Sequence, residues 1–456
     1  MLAGCGQTYY FAGRVLPPSG LSYRVMVAIQ NPSAYNHGAL EILDAYYDIR
    51  FSYTNPNVTY SISGYSGALP LTIQSFPEEQ LAAVYGAGDG NLVSINYQKE
   101  STSGSQTGLN GASASIFMTR NQSYIFAASQ IDHVFTIVDK SVTSGNYGLN
   151  MPGVYRVSVN PGGTIALAFV QNSDFVYYAQ KLSAAQTLSY SAGPGSWPKA
   201  AVDCEPLNAP AWCMYQAQSP DHVDSTGTPY GAPLTFDRPI KAVFSNDGGT
   251  AYILNCGPEC GGKASSVSLL PVGPMIFQPN QGSGKLPTTG SFTTIPVPGG
   301  ASNALVANTT MYVVGQRPMP DGLFTGSLSV LNLTTNTAGA PGAPSRMIMA
   351  DDNTLGVAMT QCTNGERYAK GQPYGCLTMF NTSSGTVTAV EPYQGDATGL
   401  AAVTNLHKLY AAQGGQVYIF STKDGTAYNN QYVTVTGTAY DLAYMDAVTD
   451  ADNTVY

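Results

Sequence analysis

Seven cysteines are the residues whose spacing most directly constrains chemistry. Cys5 stands alone, whereas Cys204 and Cys213, Cys256 and Cys260, and Cys362 and Cys376 form three pairs close in sequence. Zinc is a poor fit, because C-x8-C, C-x3-C and C-x13-C lack the knuckle spacing and His37, His133, His222 and His407 are scattered. The pairs predict three short-loop disulfides, with free thiols as the alternative, and disulfides imply an oxidising compartment. Oxygen ligands cluster near the C-terminus: Asp446, Asp450, Asp452 and Asn453, beside Asp441, could hold calcium. The cluster lacks the central Gly and distant Glu of an EF-hand, so a solvated turn is the other reading. Asp221-His222-Val223-Asp224 is a weaker metal candidate. No other cofactor is expected.

Catalytic signatures are absent. The chain contains no G-x-S-x-G, H-E-x-x-H or G-x-x-x-x-G-K-[ST], and Gly86-Ala87-Gly88-Asp89-Gly90 lies between two strand-like runs, where a hairpin turn is expected. A Ser-His-Asp arrangement would be invisible at this level, since its members meet only in the fold. Tyrosine is abundant, with 31 residues and doublets at Tyr9-Tyr10, Tyr46-Tyr47 and Tyr177-Tyr178. Alternation along a strand would turn one ring of each doublet inward and one outward, toward protein or glycan.

The composition limits what these groups can serve. With 19 Lys+Arg against 28 Asp+Glu the 456-residue chain carries a formal charge of −9, which argues against nucleic acid. Charged residues are only 10% of the total, so the polar surface rests on Ser, Thr, Asn, Tyr and Gly. No apolar run approaches the length of a membrane-spanning helix.

The elements that position these residues are strands. Gly or Pro interrupts nearly every window and helical periodicity is missing. A unit instead recurs: an apolar strand, a turn of Asn, Asp, Gly or Pro, a second apolar strand, and a third ending in Asp or Asn. Examples are Ser115–Ser123 followed by YIFAAS, Ala242–Thr250 followed by AYILN, and Leu400–Lys408 followed by LYAAQ. Most repeats are spaced near 43 residues, the length of a four-stranded propeller blade, and one gap of 86 is double. The sequence therefore predicts an all-β chain, a β-propeller of four-stranded blades over residues 21–456 after a tail at 1–20. The count gives eight blades, with seven as the alternative. Residues 192–237 are either an insertion or a degenerate blade. Tyr23–Gln30, Leu40–Asp44 and Asn57–Ser63 read as second, third and fourth strands, completing a blade whose first strand lies near Leu442 and whose second begins at Val455-Tyr456.

Val159-Asn160-Pro161-Gly162-Gly163-Thr164, Phe244-Ser245-Asn246-Asp247-Gly248-Gly249-Thr250 and Phe135-Thr136-Ile137-Val138-Asp139 resemble the blade pattern of YVTN or YncE-like bacterial propellers and, more loosely, of lactonase-type propellers. The resemblance implies fold more than activity. Leu2-Ala3-Gly4-Cys5 resembles the lipobox of bacterial lipoproteins, which would make Cys5 a lipid anchor, although no charged and apolar leader precedes it. Sequons at Asn57, Asn121, Asn308, Asn332 and Asn381 matter only where the source glycosylates. Together these readings predict an exported, secreted, periplasmic or cell-surface propeller. It is expected to work without catalysis as a structural or binding module, on other proteins, its own copies or glycans, within an extracellular assembly. A lactonase-like hydrolase and a periplasmic ligand-binding propeller are the alternatives.

Overall fold

The computed structural model describes residues 14, 16–31, 38–104, 106–109, 115–142, 145–181, 201–205, 212–218, 222–223, 229–230, 232–272, 292–320, 324–334, 337–339, 346–359, 376–391 and 395–448. The fold is a β-propeller of eight blades, each an antiparallel sheet of at least four strands, with one separate two-stranded ribbon, His222–Val223 with Pro229–Tyr230. The chain divides into two compact units, Met1–Gly108 with Ser345–Tyr456, and Leu109–Pro344.

The first unit holds four blades. Blade 1 is composite: Arg24–Gln30, Ala39–Asp44 and Tyr60–Ser61 are completed by Thr438–Tyr444, which pairs antiparallel with Arg24–Gln30. The join expected from the two ends of the sequence is thus made within one chain, while Val455-Tyr456 lies outside the described residues. Blade 2 is Pro70–Phe76, Leu81–Gly86 and Asn91–Asn96, its outer position shared by Ser101–Thr102 and Thr107–Gly108. Gly86 to Gly90 forms the hairpin turn between its second and third strands. Blade 7 is Arg346–Ala350, Thr354–Ala358, Leu377–Asn381 and Thr386–Glu391; blade 8 is Ala397–Val403, Lys408–Gln413, Gln416–Ser421 and Ala427–Val433.

The second unit holds blades 3 to 6. Blade 3 is Ser115–Met118, Tyr124–Ser129, Val134–Asp139 and Asn146–Asn150. Blade 4 begins with Val154–Val159, Ala166–Val170 and Val176–Lys181; blade 5 is Pro239–Phe244, Thr250–Asn255, Ser266–Pro271 and Thr293–Pro296. Blade 6 is Asn303–Ala307, Thr310–Pro318, Phe324–Asn332 and Thr337–Gly339. Blade 4 also explains the doubled repeat. Trp212–Gln216 and Ala201–Glu205 add to it as fourth and fifth strands, with Cys204 directly opposite Cys213 and disulfide-bonded to it. Asp203 and Glu205 then accept the Asn150 and Gly148 N–H groups from the edge of blade 3, at 2.6 and 2.7 Å. Acidic side chains thereby satisfy an edge that would otherwise be open to pairing.

Within each unit the first strands of successive blades touch, so these are the inner strands. Apolar cores lie between blades rather than on one face of each. Along Arg24–Gln30, Val25, Val27 and Ile29 pack toward blade 8, while Met26 and Ala28 pack toward blade 2. A strand buried on both faces reads as a continuous apolar run, as the repeat did. For the same reason the Tyr177-Tyr178 doublet has no outward ring: Tyr177 packs on the blade 3 side and Tyr178 on the blade 5 side. That corrects the expectation of one exposed ring.

The inner strands share a second device. In blades 1, 2, 4, 5 and 8 one extra residue, Tyr440, Leu71, Tyr155, Ile240 or Thr398, bulges from the pairing with the neighbouring strand. A bulge re-aims the next side chain. Three backbone N–H groups just beyond such bulges are capped by side chains of the preceding inner strand: Ile73 by Asp441 (2.8 Å), Val157 by Ser115 (3.0 Å) and Ala242 by Ser158 (3.1 Å).

Cys256 and Cys260 are disulfide-bonded around a single turn of 3-10 helix, Gly257–Cys260. Cys376 is disulfide-bonded, and Cys362 lies outside the described residues. Non-reducing peptide mapping is expected to recover Cys204–Cys213 and Cys256–Cys260 as intrablade pairs; free thiols or pairs across blades would contradict the fold.

Candidate functional site

Two places in the structure combine unsatisfied binding capacity with fixed geometry. The first is on the inner strands of the second unit. Arg156 and Lys241 each follow a bulge, and the Ser158–Ala242 hydrogen bond ties their two strands together within two residues of both cations. Lys241 Nζ donates to Asn303 Oδ1 at 2.8 Å. The half-buried Arg156 guanidinium lies 5.5 Å from the centroid of the Tyr155 ring, and among the described residues no hydrogen-bond acceptor meets it. Burial pushes the Tyr155 hydroxyl up to about 12, so it stays protonated.

Glu259 supplies the acid of this site. The disulfide-closed turn presents it, and Gly257 at φ 66° permits that turn, since a Cβ there would lie 2.4 Å from the Ser265 nitrogen. Gln316 N–H donates to Glu259 Oε2 at 2.9 Å, and Gly300 leaves room for it, because a Cβ on Gly300 would come within 2.5 Å of the same oxygen. Burial pushes the Glu259 carboxyl up; the Gln316 N–H and the charge of Arg156 oppose this. Arg156 influences Glu259 through space without a direct ion pair.

The second place is the loop from Asp44 to Thr59 in blade 1. Tyr46, Tyr47 and Tyr53 are 60%, 49% and 71% exposed, and Phe51 and Val58 are exposed beside them. The rings form one continuous row: Tyr23 stacks on Tyr46 at 6.3 Å, Tyr46 meets Tyr47 edge-on at 4.9 Å, and Tyr47 stacks on Tyr53 at 4.5 Å. Arg50 covers Phe51 at 4.7 Å. The loop is pinned from beneath. Lys408 Nζ donates to Asp48 at 2.7 Å and to the Ala45 carbonyl at 2.9 Å, and the buried Tyr410 hydroxyl donates to Asp48. Burial followed by the negative charge of Asp48 holds the Tyr410 hydroxyl far above its ordinary range, so it remains a donor.

His407 shows why no acyl-transfer triad forms there. Its Nδ1 bonds Asp352 at 2.9 Å, but the Thr422 hydroxyl donates to that same carboxylate at 2.6 Å, and no hydroxyl bonds His407 among the described residues. Burial works against the Asp352 charge, while Thr422 and His407 hold its carboxyl below the usual range. His133 is exposed beside a turn, and Cys5 and His37 lie outside the described residues, as do Asp221, Asp224 and the His222 side chain.

The expected calcium cluster is represented by Asp446 alone, since Asp450, Asp452 and Asn453 lie outside the described residues. Both Asp446 carboxylate oxygens are occupied by Arg24, at 2.6 and 3.0 Å. Asp441 instead sits on the inner strand, fully buried against Arg346 at 2.5 Å. No group of three His, Cys, Asp or Glu suited to a metal occurs among the described residues.

The sequence matches no protein-family model and no curated protein. By structure the chain is similar to dihydro-heme d1 dehydrogenase NirN, solved in complex with DHE. That match has 10% identity and a TM-score of 0.52, and covers 92% of this chain and 75% of that one. It is also similar to the periplasmic gluconolactonase PpgL of Pseudomonas aeruginosa, at 14% identity and a TM-score of 0.42, covering 92% and 98%. The yeast protein Sqt1 of Saccharomyces cerevisiae matches at 10% and 0.49, covering 81% and 86%. At these identities the likeness concerns the fold, and the chain is a β-propeller by architecture.

Proposed function

We propose that this protein is an exported, non-catalytic propeller that assembles with copies of itself through the tyrosine row of blade 1. The row itself carries the reading. Tyr and Arg are the residues that concentrate binding energy at protein interfaces, because they bury large amphipathic area at low entropic cost. Here the tyrosines are exposed together, with the half-buried Arg50 among them, on a loop held by buried hydrogen bonds, and preorganisation of this kind lowers the ordering penalty of binding. Arg50 lies 3.9 Å from the buried Glu41, and the exposed rings of the row can stack on those of a second copy across a two-fold axis. The disulfides Cys204–Cys213 and Cys256–Cys260, with the bonded Cys376, support an oxidising compartment. Among the described residues no helix is long and apolar enough to cross a membrane.

Sedimentation of the full chain should show self-association that the Tyr47→Ser/Tyr53→Ser variant weakens by about tenfold or more, with its melting temperature unchanged. Monomers at every concentration for the parent protein would sink the proposal. Loss of binding to a glycan array in the variant, without change in association, would replace the protein partner by sugar.

A further inference from the structure

We infer that the inner strands of residues 109–344 carry a binding site for a small carboxylate anion, formed by Arg156 and Lys241 with Glu259 and Tyr155 at its border. The inference is independent of the tyrosine row, which lies in the other unit.

Four observations lead there. An arginine guanidinium presents five N–H donors in a planar fork, and a half-buried one without a protein acceptor leaves that fork open to a ligand. Arg156 is in that position among the described residues. Its neighbour on the next inner strand, at the equivalent place after a bulge, is a second cation, Lys241. In the first unit the equivalent place is filled differently: Asp441 follows the bulge of blade 1 and neutralises Arg346, and Gly399 follows the bulge of blade 8. The inner-strand charge of the first unit is therefore paired with an opposite charge, whereas in the second Lys241 bonds the neutral Asn303 and Arg156 meets no acceptor among the described residues. Finally, no carboxylate closes on Arg156. Glu259 is held by the Gln316 N–H in the space that Gly300 leaves, so it borders the guanidinium without pairing to it.

A carboxylate suits this arrangement better than a spherical or tetrahedral anion. Its two oxygens match the guanidinium fork with two parallel hydrogen bonds, and Lys241 adds a point charge beside them. The Tyr155 ring lies 5.5 Å from the guanidinium and borders it. Glu259 narrows the class to small acids, since a bulky ligand would be brought against its carboxyl.

Calorimetry on the full chain with succinate and with inorganic phosphate tests the site. Succinate should bind, and Arg156→Lys should weaken it by about tenfold or more, because lysine keeps the charge but loses the fork. Lys241→Met should weaken it as well, while Lys99→Ala, which removes an exposed cation of the other unit, should leave it unchanged. Thermal unfolding of each variant without ligand reports whether the fold is intact; Arg156→Met supplies a second variant where Arg156→Lys is too mild. Absence of heat with both anions overturns the site. Equal succinate affinity in Arg156→Lys, Arg156→Met and the parent overturns the role of Arg156, and phosphate binding tighter than succinate overturns the ligand class.

Discussion

Replacing Arg24 with methionine should destabilise the first unit by about 3–5 kcal/mol, the usual result of removing one partner from a buried charge network. Arg24 is 2% exposed. Its Nε and Nη2 donate to Asp446 at 3.0 and 2.6 Å, and its Nη1 donates to Glu100 at 3.0 Å and to the Tyr97 carbonyl at 2.6 Å. Glu100 also accepts the Ser19 hydroxyl and N–H, at 2.6 and 2.8 Å. One guanidinium thus fastens the strand Arg24–Gln30 to the turn before the outer strand of blade 2 and to the end of the closing strand. Methionine would fill part of the space and leave two buried carboxylates without a cation. Adding Asp446→Asn and Glu100→Gln to Arg24→Met should recover most of the loss, because neutral amides do not need one. Urea unfolding of the single and triple variants measures both. A single variant within about 1 kcal/mol of the parent would show that the network is dispensable.

Arg346→Met is expected to have a comparable effect, but one that depends on pH. Asp441 is fully buried. Burial pushes its carboxyl up, and Arg346, the Ile73 N–H and the Leu442 N–H pull it back without fully compensating. A carboxyl whose folded value lies above its unfolded value contributes full stability below the unfolded value, and that contribution fades as pH rises through the folded one. Removing Arg346 takes away the largest opposing influence and raises the folded value further. The variant should therefore differ little from the parent near pH 4, by about 1 kcal/mol of lost packing, and by about 3 kcal/mol at pH 7. Urea unfolding between these pH values gives the profile. A gap that stays constant, or narrows with rising pH, would mean that Asp441 does not carry its charge into the fold.

The hairpins within the blades were legible because they are written in local chemistry. Turns such as Asn160-Pro161-Gly162-Gly163 and Asp247-Gly248-Gly249 place Gly163 and Gly248 at positive φ, where residues with a Cβ are strained, so composition and conformation coincide. The composite blade was legible for a related reason: each half of it lacked what the other supplied. What depends on distant strands was not. Asp446 reads as one oxygen of a cation cluster until Arg24, 422 residues away, is seen to hold it. The Cys204/Cys213 segment fits an extra blade or an insertion equally well until it is seen to lengthen blade 4. The Tyr177-Tyr178 doublet misled because two-sided burial cancels the inward and outward alternation, and Tyr46-Tyr47 misled because it lies on a loop, where both rings are exposed. Arg156 and Lys241 escaped notice altogether, since nothing local announces that Tyr155 and Ile240 bulge. The equivalence of the two cations exists only in the register.

The composite blade also sets a schedule. During synthesis the strand Arg24–Gln30 emerges early, while its partner Thr438–Tyr444 follows on the order of 400 residues later, which at ribosomal speed is about 20–80 s. For that interval one edge of an apolar strand, together with the Arg24 guanidinium, waits for a neighbour that has not been made. An unpaired edge is a template for wrong pairing, including with the same strand of another nascent chain. A protein built this way depends on whatever holds its first strands apart until the last one arrives.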